Sequence, residues 1–487
     1  MNPVQPHLDR LKNLSPAKRE ALLKALHAER LRDAENRNEQ RRKRTGPARL
    51  SVAQRHLFML DQKFPAVPTY NVPVAVRITG ALNVACLERS LNDVVRRHEV
   101  LRTRFQIVSG HGAQSVDQDF SLGIAVEDPK TTPAAIRAIV LEEGKRPFDL
   151  RLGPPIRVRV LRISEQEHLA MITLHHILCD GQSLEIFLRD LSAFYAAAVS
   201  GRPAELPELK MQYADFVDWE AGWLETQEAA RQIAYWKKQL QGCSGNELSL
   251  DMPRPPAPAP EGRRIYFEFS RELQEALEVV AHESGTTLMV ATLVVFHLVL
   301  KTWAGHDSIS IGAPVDNRTQ PEFEQMMGLF INTVVFRTAL SGEDTFRELL
   351  KRTRETFLSA HSHKDVPFEA VLQELGLEHD PPRRPLFQSW FVFQVVPPQR
   401  RMFADIEFAS IQLDYELSRY DVKLNIFAGT SSIKCSFEYN TSLFASETME
   451  GICRWYQLAL QRVVQQPEIR CDQLSSWLRQ SGSAAAL

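Results

Sequence analysis

Residues 253–260 read Pro-Arg-Pro-Pro-Ala-Pro-Ala-Pro. Five prolines in eight residues fix φ and remove backbone donors, so this stretch can continue neither a helix nor a central strand. It reads as an extended surface crossover between what folds before it and what folds after it. On its N-terminal side, from Leu50 to about Gly222, strand and helix patterns alternate. Residues 72–78 have the two-residue period of a strand, residues 87–95 carry apolar side chains at helical spacing, and 157–163 and 168–175 read as neighbouring strands. Past the prolines the alternation resumes. Residues 265–269, 308–311, 333–337, 389–395, 424–427 and 433–439 are strand-like, and 273–281 and 288–303 are helix-like. The pattern predicts two α/β lobes of similar size, although the sequence shows no clean internal repeat.

The chain has 487 residues, enough for two or three domains at about 150 residues each. We divide it into an N-terminal docking helix and charged linker (1–47), a first lobe (48–222), a second lobe (223–478) and a disordered tail (479–487). The leading segment starts a helix at Ser15-Pro16, carries a stripe of Leu22, Leu23 and Leu26, and ends Arg41-Arg42-Lys43-Arg44. A nucleic-acid patch is the competing reading of that basic run. Interleaved acids and a lack of aromatics favour the linker. With 58 basic against 60 acidic residues, the whole chain also lacks the basic surplus of a dedicated nucleic-acid binder.

The six cysteines (Cys86, Cys179, Cys243, Cys435, Cys453, Cys471) form no C-x-x-C pair. That predicts no metal site and no disulfide framework, and free thiols suit a reducing cytoplasm. Residues 1–30 carry charges throughout and show no signal peptide. The longest uncharged apolar run, 288–300, is shorter than the roughly 20 residues a membrane span needs. We read it as a buried helix and expect no membrane partner.

The sharpest local feature is His175-His176-Ile177-Leu178-Cys179-Asp180-Gly181-Gln182-Ser183. A strand runs in from His168, Asp180-Gly181 marks a turn, and Ser183 can cap a helix whose apolar face is Leu184, Phe187, Leu188 and Leu191. The histidine pair therefore sits where a strand gives way to a loop, a usual place for reactive groups. Adjacent strand residues point to opposite faces, so only one imidazole can face a given cavity. If that is His176, it can serve as a base or proton shuttle near neutral pH. Asp180 can orient it or form a buried ion pair that fixes the loop. The plainer alternative is a packed histidine pair before an Asp-Gly turn.

H-H-x-x-x-D-G resembles the signature of the condensation domains of nonribosomal peptide synthetases, relatives of chloramphenicol acetyltransferase. Other segments are similar to family motifs in the same order: Ser51-Val52-Ala53-Gln54-Arg55, Tyr70-Asn71-Val72-Pro73, the run from Arg97 to Phe105, and Tyr213-Ala214-Asp215-Phe216 with Trp219. In the second half they are Ile311 through Arg318, Gly328 through Thr333, Val366-Pro367-Phe368-Glu369, Arg384 through Gln388, Ser418-Arg419-Tyr420-Asp421 and Phe437 through Thr441. The resemblance runs from about Ser51 to Trp477.

It implies two acetyltransferase-like lobes in a V-shaped pseudo-dimer with a central tunnel. Acyl or peptidyl carrier proteins would present the donor, and an aminoacyl carrier protein the acceptor amine, on phosphopantetheine arms entering from opposite ends, within a larger set of synthetase domains. An acyl-CoA donor is a variant. No cofactor would be bound covalently, because no carrier attachment site of the G-G-x-S type is present. By carry-over His176 is the catalytic histidine, His175 is structural, and the Gly181 N–H lies near the thioester carbonyl. Asp180 is expected to pair with an arginine of the second motif, Arg97 first and Arg102 next. Arg318 and Asn332 are expected to line the tunnel floor. Cys179, His98 and His297 are expected to be packed or satisfied structural residues; Asp215, Trp219, Phe330 and Asn332 match motifs too, and packing of the lobes is the plainer reading of all four, Asn332 included.

Gln182 departs from the tryptophan common after Asp-Gly in the family. The intact histidine pair argues against the cyclising subtype, and the residues after Gly181 differ from the epimerisation pattern. Amide formation is the leading expectation. A starter-type domain taking a fatty acyl donor is the close variant, mildly favoured by the lack of a carrier segment before Met1. An idle docking module and an O-acyltransferase are the readings from other classes.

Overall fold

The structure is a computed structural model that describes residues 46–481, apart from 66, 129–131, 244, 246, 378–384, 396–399, 404–405, 412–413 and 430–432. The expected docking helix and most of its linker, the last six residues of the expected tail, and Arg384 lie outside the described residues.

Two six-stranded sheets carry the architecture. The first runs Arg400–Phe403, Ile406–Ile411, Asn71–Thr79, Glu167–His175, Ile156–Ser164, Ala125–Glu127. The second runs Ile331–Ala339, Ser308–Asp316, Ser389–Val395, Val422–Ala428, Ile433–Asn440, Gly262–Phe269. A three-stranded sheet of Ala48–Arg49, His111–Val116 and Thr103–Val108 flanks the first. Among the described residues, every strand and helix read from periodicity is present, most of them longer by a few residues at their ends.

The central pair of the first sheet shows why the sequence alternates. Asn71–Thr79 and Glu167–His175 run antiparallel, with Asn71 opposite His175 and Ala75 opposite Met171. Val72, Val74, Val76 and Ile78, with Ala170, Ile172 and Leu174, enter the main core beneath helices Val84–Arg97 and Gly181–Ser200. The intervening residues Ala75, Leu169 and Met171 lie on the other face, in a smaller cluster covered by helix Pro133–Lys145. His175 shares that second face, because side chains alternate along a strand.

In the second lobe, helix Leu288–Ala304 is apolar on all sides and buried, packed on by helices Phe346–His361, Ser446–Gln465 and Cys471–Ser481. Among the described residues no single helix is long and apolar enough to cross a membrane, and Leu288–Ala304 is bent 97° from the helix before it.

The linear division into lobes needs correction in one respect. The chain passes from first core to second between helix Tyr213–Leu224 and helix Gln227–Leu240. Two later segments then return. Strand Ile406–Ile411 pairs with Asn71–Thr79, Phe408 opposite Ile78, and strand Arg400–Phe403 pairs with its outer edge, so this hairpin completes the first sheet. Phe323, Met326, Met327, Leu329 and Phe330 also enter the first core. The first lobe is thus closed by side chains of the second half. Strand periodicity reports that a segment pairs but not with what, so the sequence could not assign it.

The Pro-rich stretch forms neither helix nor strand, as expected, but it is more than a surface crossover. Arg254 pairs with Asp421 (Nη1–Oδ1 2.9 Å), and the carbonyl of Ala259 accepts from Asn440 Nδ2 at 2.6 Å. Its residues wall a cavity between the lobes.

Two outcomes follow from the returning segments. Phe408→Ala should cost about 3–5 kcal/mol in urea denaturation, the usual loss for a buried phenylalanine. Residues 48–222 expressed alone should show no cooperative unfolding transition, because their sheet then ends on an open strand and their core lacks five side chains from residues 323–330.

Candidate active site

The loop after strand Glu167–His175 is built around Asp180. It is the N-cap of helix Gly181–Ser200: its Oδ1 accepts from the Ser183 N–H and from Ser183 Oγ, both at 2.8 Å. The cap expected of Ser183 thus belongs to Asp180, since a cap must precede the first helical residue and leave its own oxygen to the N3 amide. Ser183 Oγ instead bridges to Gly328, accepting from its N–H at 3.1 Å and lying 2.9 Å from its carbonyl oxygen.

Asp180 does pair with an arginine, and it is Arg318. The guanidinium donates Nη1–H to Oδ2 at 2.9 Å and Nη2–H to Oδ1 at 3.0 Å, and the Phe330 N–H donates to Oδ2 at 3.0 Å. Arg318 also reaches Asp316 Oδ1 at 2.8 Å and Ser183 Oγ at 3.0 Å, and it lies over the Phe330 ring at 4.2 Å. Both side chains of the pair are buried, at 1% and 3% exposure, so neither lines a tunnel floor. Two parallel charge-assisted bonds from a planar fork make this a rigid clamp.

The expected pairing of Asp180 with Arg97 or Arg102 is therefore corrected. Arg97 Nε donates to Asp190 at 2.8 Å, and His98 Nε2 sits 2.9 Å from the same oxygen, so both tie helix Val84–Arg97 to helix Gly181–Ser200. Arg102 donates to the Asp117 carbonyl and to Gln118. Several arginines precede Asp180 in the chain, and sequence distance cannot say which one folds back to it. Asn332 is corrected likewise: its amide donates to the carbonyls of Lys364 (2.6 Å) and Val366 (2.7 Å) and accepts from the Thr333 and Phe368 N–H groups. Saturated by backbone, it braces a turn and has nothing left for substrate.

The two histidines diverge. His175 is buried, its Nδ1 accepts from the Ile177 N–H at 3.1 Å, and its ring lies near Tyr70 and edge-on to Phe148. It lines the cavity of about 110 Å³ between the lobes, with Tyr70, Arg254, Pro258, Ser418 and Arg419. His176 opens the short 3-10 turn His176–Leu178 and is half-buried, with Nδ1 enclosed and unpartnered. Burial pushes the His176 imidazole down to about 4, and the charge of Arg419 adds to the effect. Burial likewise pushes His175 down to about 3, helped by His176 and Arg419. Both rings are therefore neutral at pH 7, the state in which an imidazole can accept a proton.

Sequence reasoning gave Arg419 no role beyond its place in a late motif. It donates from Nε to the Thr69 carbonyl at 2.7 Å and from Nη2 to that of Asn71 at 3.4 Å, and so crosses from the second lobe to the first beside both histidines. Gly181 is exposed, and a Cβ there would have only Gln394 Nε2 within reach, at 4.0 Å. Its N–H stands at the open start of a helix, where backbone donors lack intrahelical partners. Cys179 is buried and burial pushes its thiol up, so it is a packed residue and not a nucleophile. His297 is held between the carbonyls of Leu293 and Phe336. Phe330 and Trp219 belong to an aromatic cluster with Phe216, and Asp215 closes the N-terminal capping box of helix Tyr213–Leu224. Among the described residues no group of His, Cys, Asp and Glu is arranged to hold a metal.

The clamp predicts that Arg318→Ala and Asp180→Asn each destabilise by about 3–5 kcal/mol, since each strands a buried partner. The double change should cost far less than the sum, measured by denaturant unfolding. A second expectation concerns acid. His175, His176 and His297 have folded values of about 3, 4 and 4, below the ordinary 6.5. Between pH 6.5 and about 4 the unfolded chain binds protons the folded chain refuses. Stability should therefore fall as pH drops through that window, by about 1.4 kcal/mol per pH unit for each histidine at the limiting slope. A melting temperature that holds constant from pH 6.5 to 4.5 would contradict this.

A family profile described as Condensation domain matches residues 45–482. A linear gramicidin synthase of Brevibacillus parabrevis is 39% identical over 427 residues, 86% of this chain and 8% of that protein. Phosphinothricin tripeptide synthetase PhsC of Streptomyces viridochromogenes is 33% identical over 87% of this chain and 40% of its own length. The chain thus spans a small part of the curated relatives it matches. Among solved structures, the X-domain from teicoplanin biosynthesis is similar with a TM-score of 0.82 and 25% identity, over 88% of this chain and 98% of that one. SgcC5 from Streptomyces globisporus is similar with a TM-score of 0.74 and 26% identity, over 87% of this chain and 100% of that one. The two lobes are the paired chloramphenicol acetyltransferase-like halves of this fold, and the chain belongs to the condensation-domain family, whose members in nonribosomal peptide synthetases are amide-forming acyltransferases.

Proposed function

We propose that this domain joins the acyl or aminoacyl group of a carrier-bound thioester to the amine of an aminoacyl thioester on a second carrier protein. The observation that carries the reading is the His176–Gly181 loop, held between the lobes by the Asp180–Arg318 clamp with a neutral imidazole and an open helix N-terminus at its ends. The amine nitrogen attacks the thioester carbonyl, the C–N bond forms and the C–S bond breaks. His176 takes the proton the amine sheds and passes it to the departing pantetheine sulfur. Its enclosed Nδ1 leaves Nε2 as the atom that meets substrate. The Gly181 N–H points toward the oxygen on which charge develops, where a preorganised donor is most effective. His175, fixed by the Ile177 amide, shapes the adjoining wall. The phosphopantetheine arms belong to the partner proteins.

Aminolysis of a thioester is downhill, so positioning carries much of the acceleration, up to roughly 7–11 kcal/mol in ideal cases. A starter-type reaction, in which a fatty acyl thioester or acyl-CoA is the donor, uses the same residues. The likeness to the teicoplanin X-domain, also solved as a complex with OxyB, supports a second reading as a docking module. The two separate on one measurement. His176→Ala should lower amide formation by about 10²–10⁴-fold with folding intact, read as the mass of the acceptor carrier after incubation with acyl-thioester donors. Undiminished product from that variant would remove His176 from catalysis. Larger loss in His175→Ala, with the fold retained, would move the role to His175, and no product from the wild-type chain with any donor would favour the docking reading.

A further inference from the structure

Gly181 opens helix Gly181–Ser200, and neither its backbone nor its packing demands a glycine. Its φ lies outside the left-handed region that favours glycine. A Cβ on it would meet a single atom within 4 Å, the side-chain Nε2 of Gln394 at 4.0 Å. The space beside the Gly181 N–H is therefore open, and the group that borders it comes from the other lobe.

Gln394 lies near the end of strand Ser389–Val395, with its backbone in register with Phe427 of the neighbouring strand. Its side chain is exposed, and among the described residues its carboxamide makes no hydrogen bond. That group offers two N–H donors and carries no charge to titrate. The sheet that presents Gln394 also presents the clamp. Arg318 follows strand Ser308–Asp316, which lies next to Ser389–Val395 with Ile311 opposite Ser389 and Gly312 opposite Trp390. Arg318 grips Asp180 through two bonds, and Asp180 caps the helix that Gly181 begins. The ion pair thus sets the spacing between Gly181 and the second sheet, and with it the spacing to Gln394.

We propose that Gln394 is a further catalytic residue, whose amide N–H donates, together with the Gly181 N–H, to the thioester oxygen on which charge develops. The proposal rests on the amide-forming reading above and adds the second donor of its oxyanion site. As the amine nitrogen bonds to the carbonyl carbon, an electron pair of the C=O bond moves onto oxygen and both N–H groups receive it. As the C–S bond breaks, the pair returns and the amide C=O forms. Gln394 gives up no proton, so the transfer from amine to His176 and on to sulfur is unchanged. Side-chain amides are among the usual donors of such sites. Because one donor stands on each lobe, the pair is complete only while the clamp holds the lobes together.

The test compares wild type with Gln394→Leu and Gln394→Glu. The donors are an acyl-pantetheine thioester and the matching dithioester, in which sulfur replaces the carbonyl oxygen, and the acceptor is an aminoacyl carrier protein. Glutamate has the shape of glutamine but donates nothing when ionised. In both variants kcat with the thioester should fall about 10²-fold, the usual loss of one oxyanion donor, with the donor KM nearly unchanged. Sulfur accepts hydrogen bonds weakly, so the dithioester rate should fall far less. The ratio of thioester to dithioester kcat should drop by roughly 10-fold or more, whereas disturbed packing would slow both donors alike. The denaturation midpoint should match wild type, because the side chain is exposed and unbonded. Unchanged kcat in either variant, a loss confined to KM, or equal losses with the two donors overturns the proposal and leaves the amide-forming reading in place. No amide from the wild-type chain with either donor overturns both.

Discussion

A single buried bidentate ion pair holds the two halves of this molecule at the place where chemistry is proposed. Asp180 caps its own helix with one oxygen and, with both, receives the guanidinium of Arg318 and the Phe330 amide. A buried charge pair is weak evidence for stability in itself, because desolvation offsets much of the attraction. Here geometry supplies its value. The carboxylate fixes the first turn of helix Gly181–Ser200, and with it the Gly181 N–H and the short turn that carries His176. The arginine side fixes the segment whose aromatic side chains fill the first lobe's core.

That reciprocity recurs across the molecule. The second half lends two strands and, from residues 323–330, five core side chains to the first lobe, while Arg419 reaches back to the carbonyls of Thr69 and Asn71 and the Pro-rich stretch walls the same cavity. The lobes are consequently not independent units joined by a linker. Several of the boundaries between them are made by residues that are also part of a sheet, a core or a cap. A site formed between such lobes inherits their rigidity, which suits a reaction that depends on placing two tethered substrates.

Charge at the site follows from the same packing. Enclosure and the nearby Arg419 keep both imidazoles neutral, so basicity is traded for availability: a histidine with a lowered value is a weaker base but is ready in its unprotonated form at any pH near 7. The buried thiol of Cys179, at the end of the same turn, is silenced by the same enclosure.

The amino-acid pattern by itself determined the elements, because apolar periodicity is a local property: strands at 72–78 and 168–175, the largely apolar helix at 288–303, and the break at the prolines are legible without coordinates. It also determined the candidate loop, since a histidine pair before an Asp-Gly turn joins a strand end to a helix start over a few residues. Only the tertiary structure decided which arginine meets Asp180, that Asn332 is consumed by backbone, that strand Ile406–Ile411 joins the other lobe's sheet, and that Gln394 stands against Gly181. These contacts join residues from 32 positions apart, at Asn332 and Lys364, to 336 apart, at Ala75 and Ile411. Nothing in a one-dimensional period encodes the partner of a long-range contact; it is fixed only when sheets and helices pack and leave each side chain a single place to go.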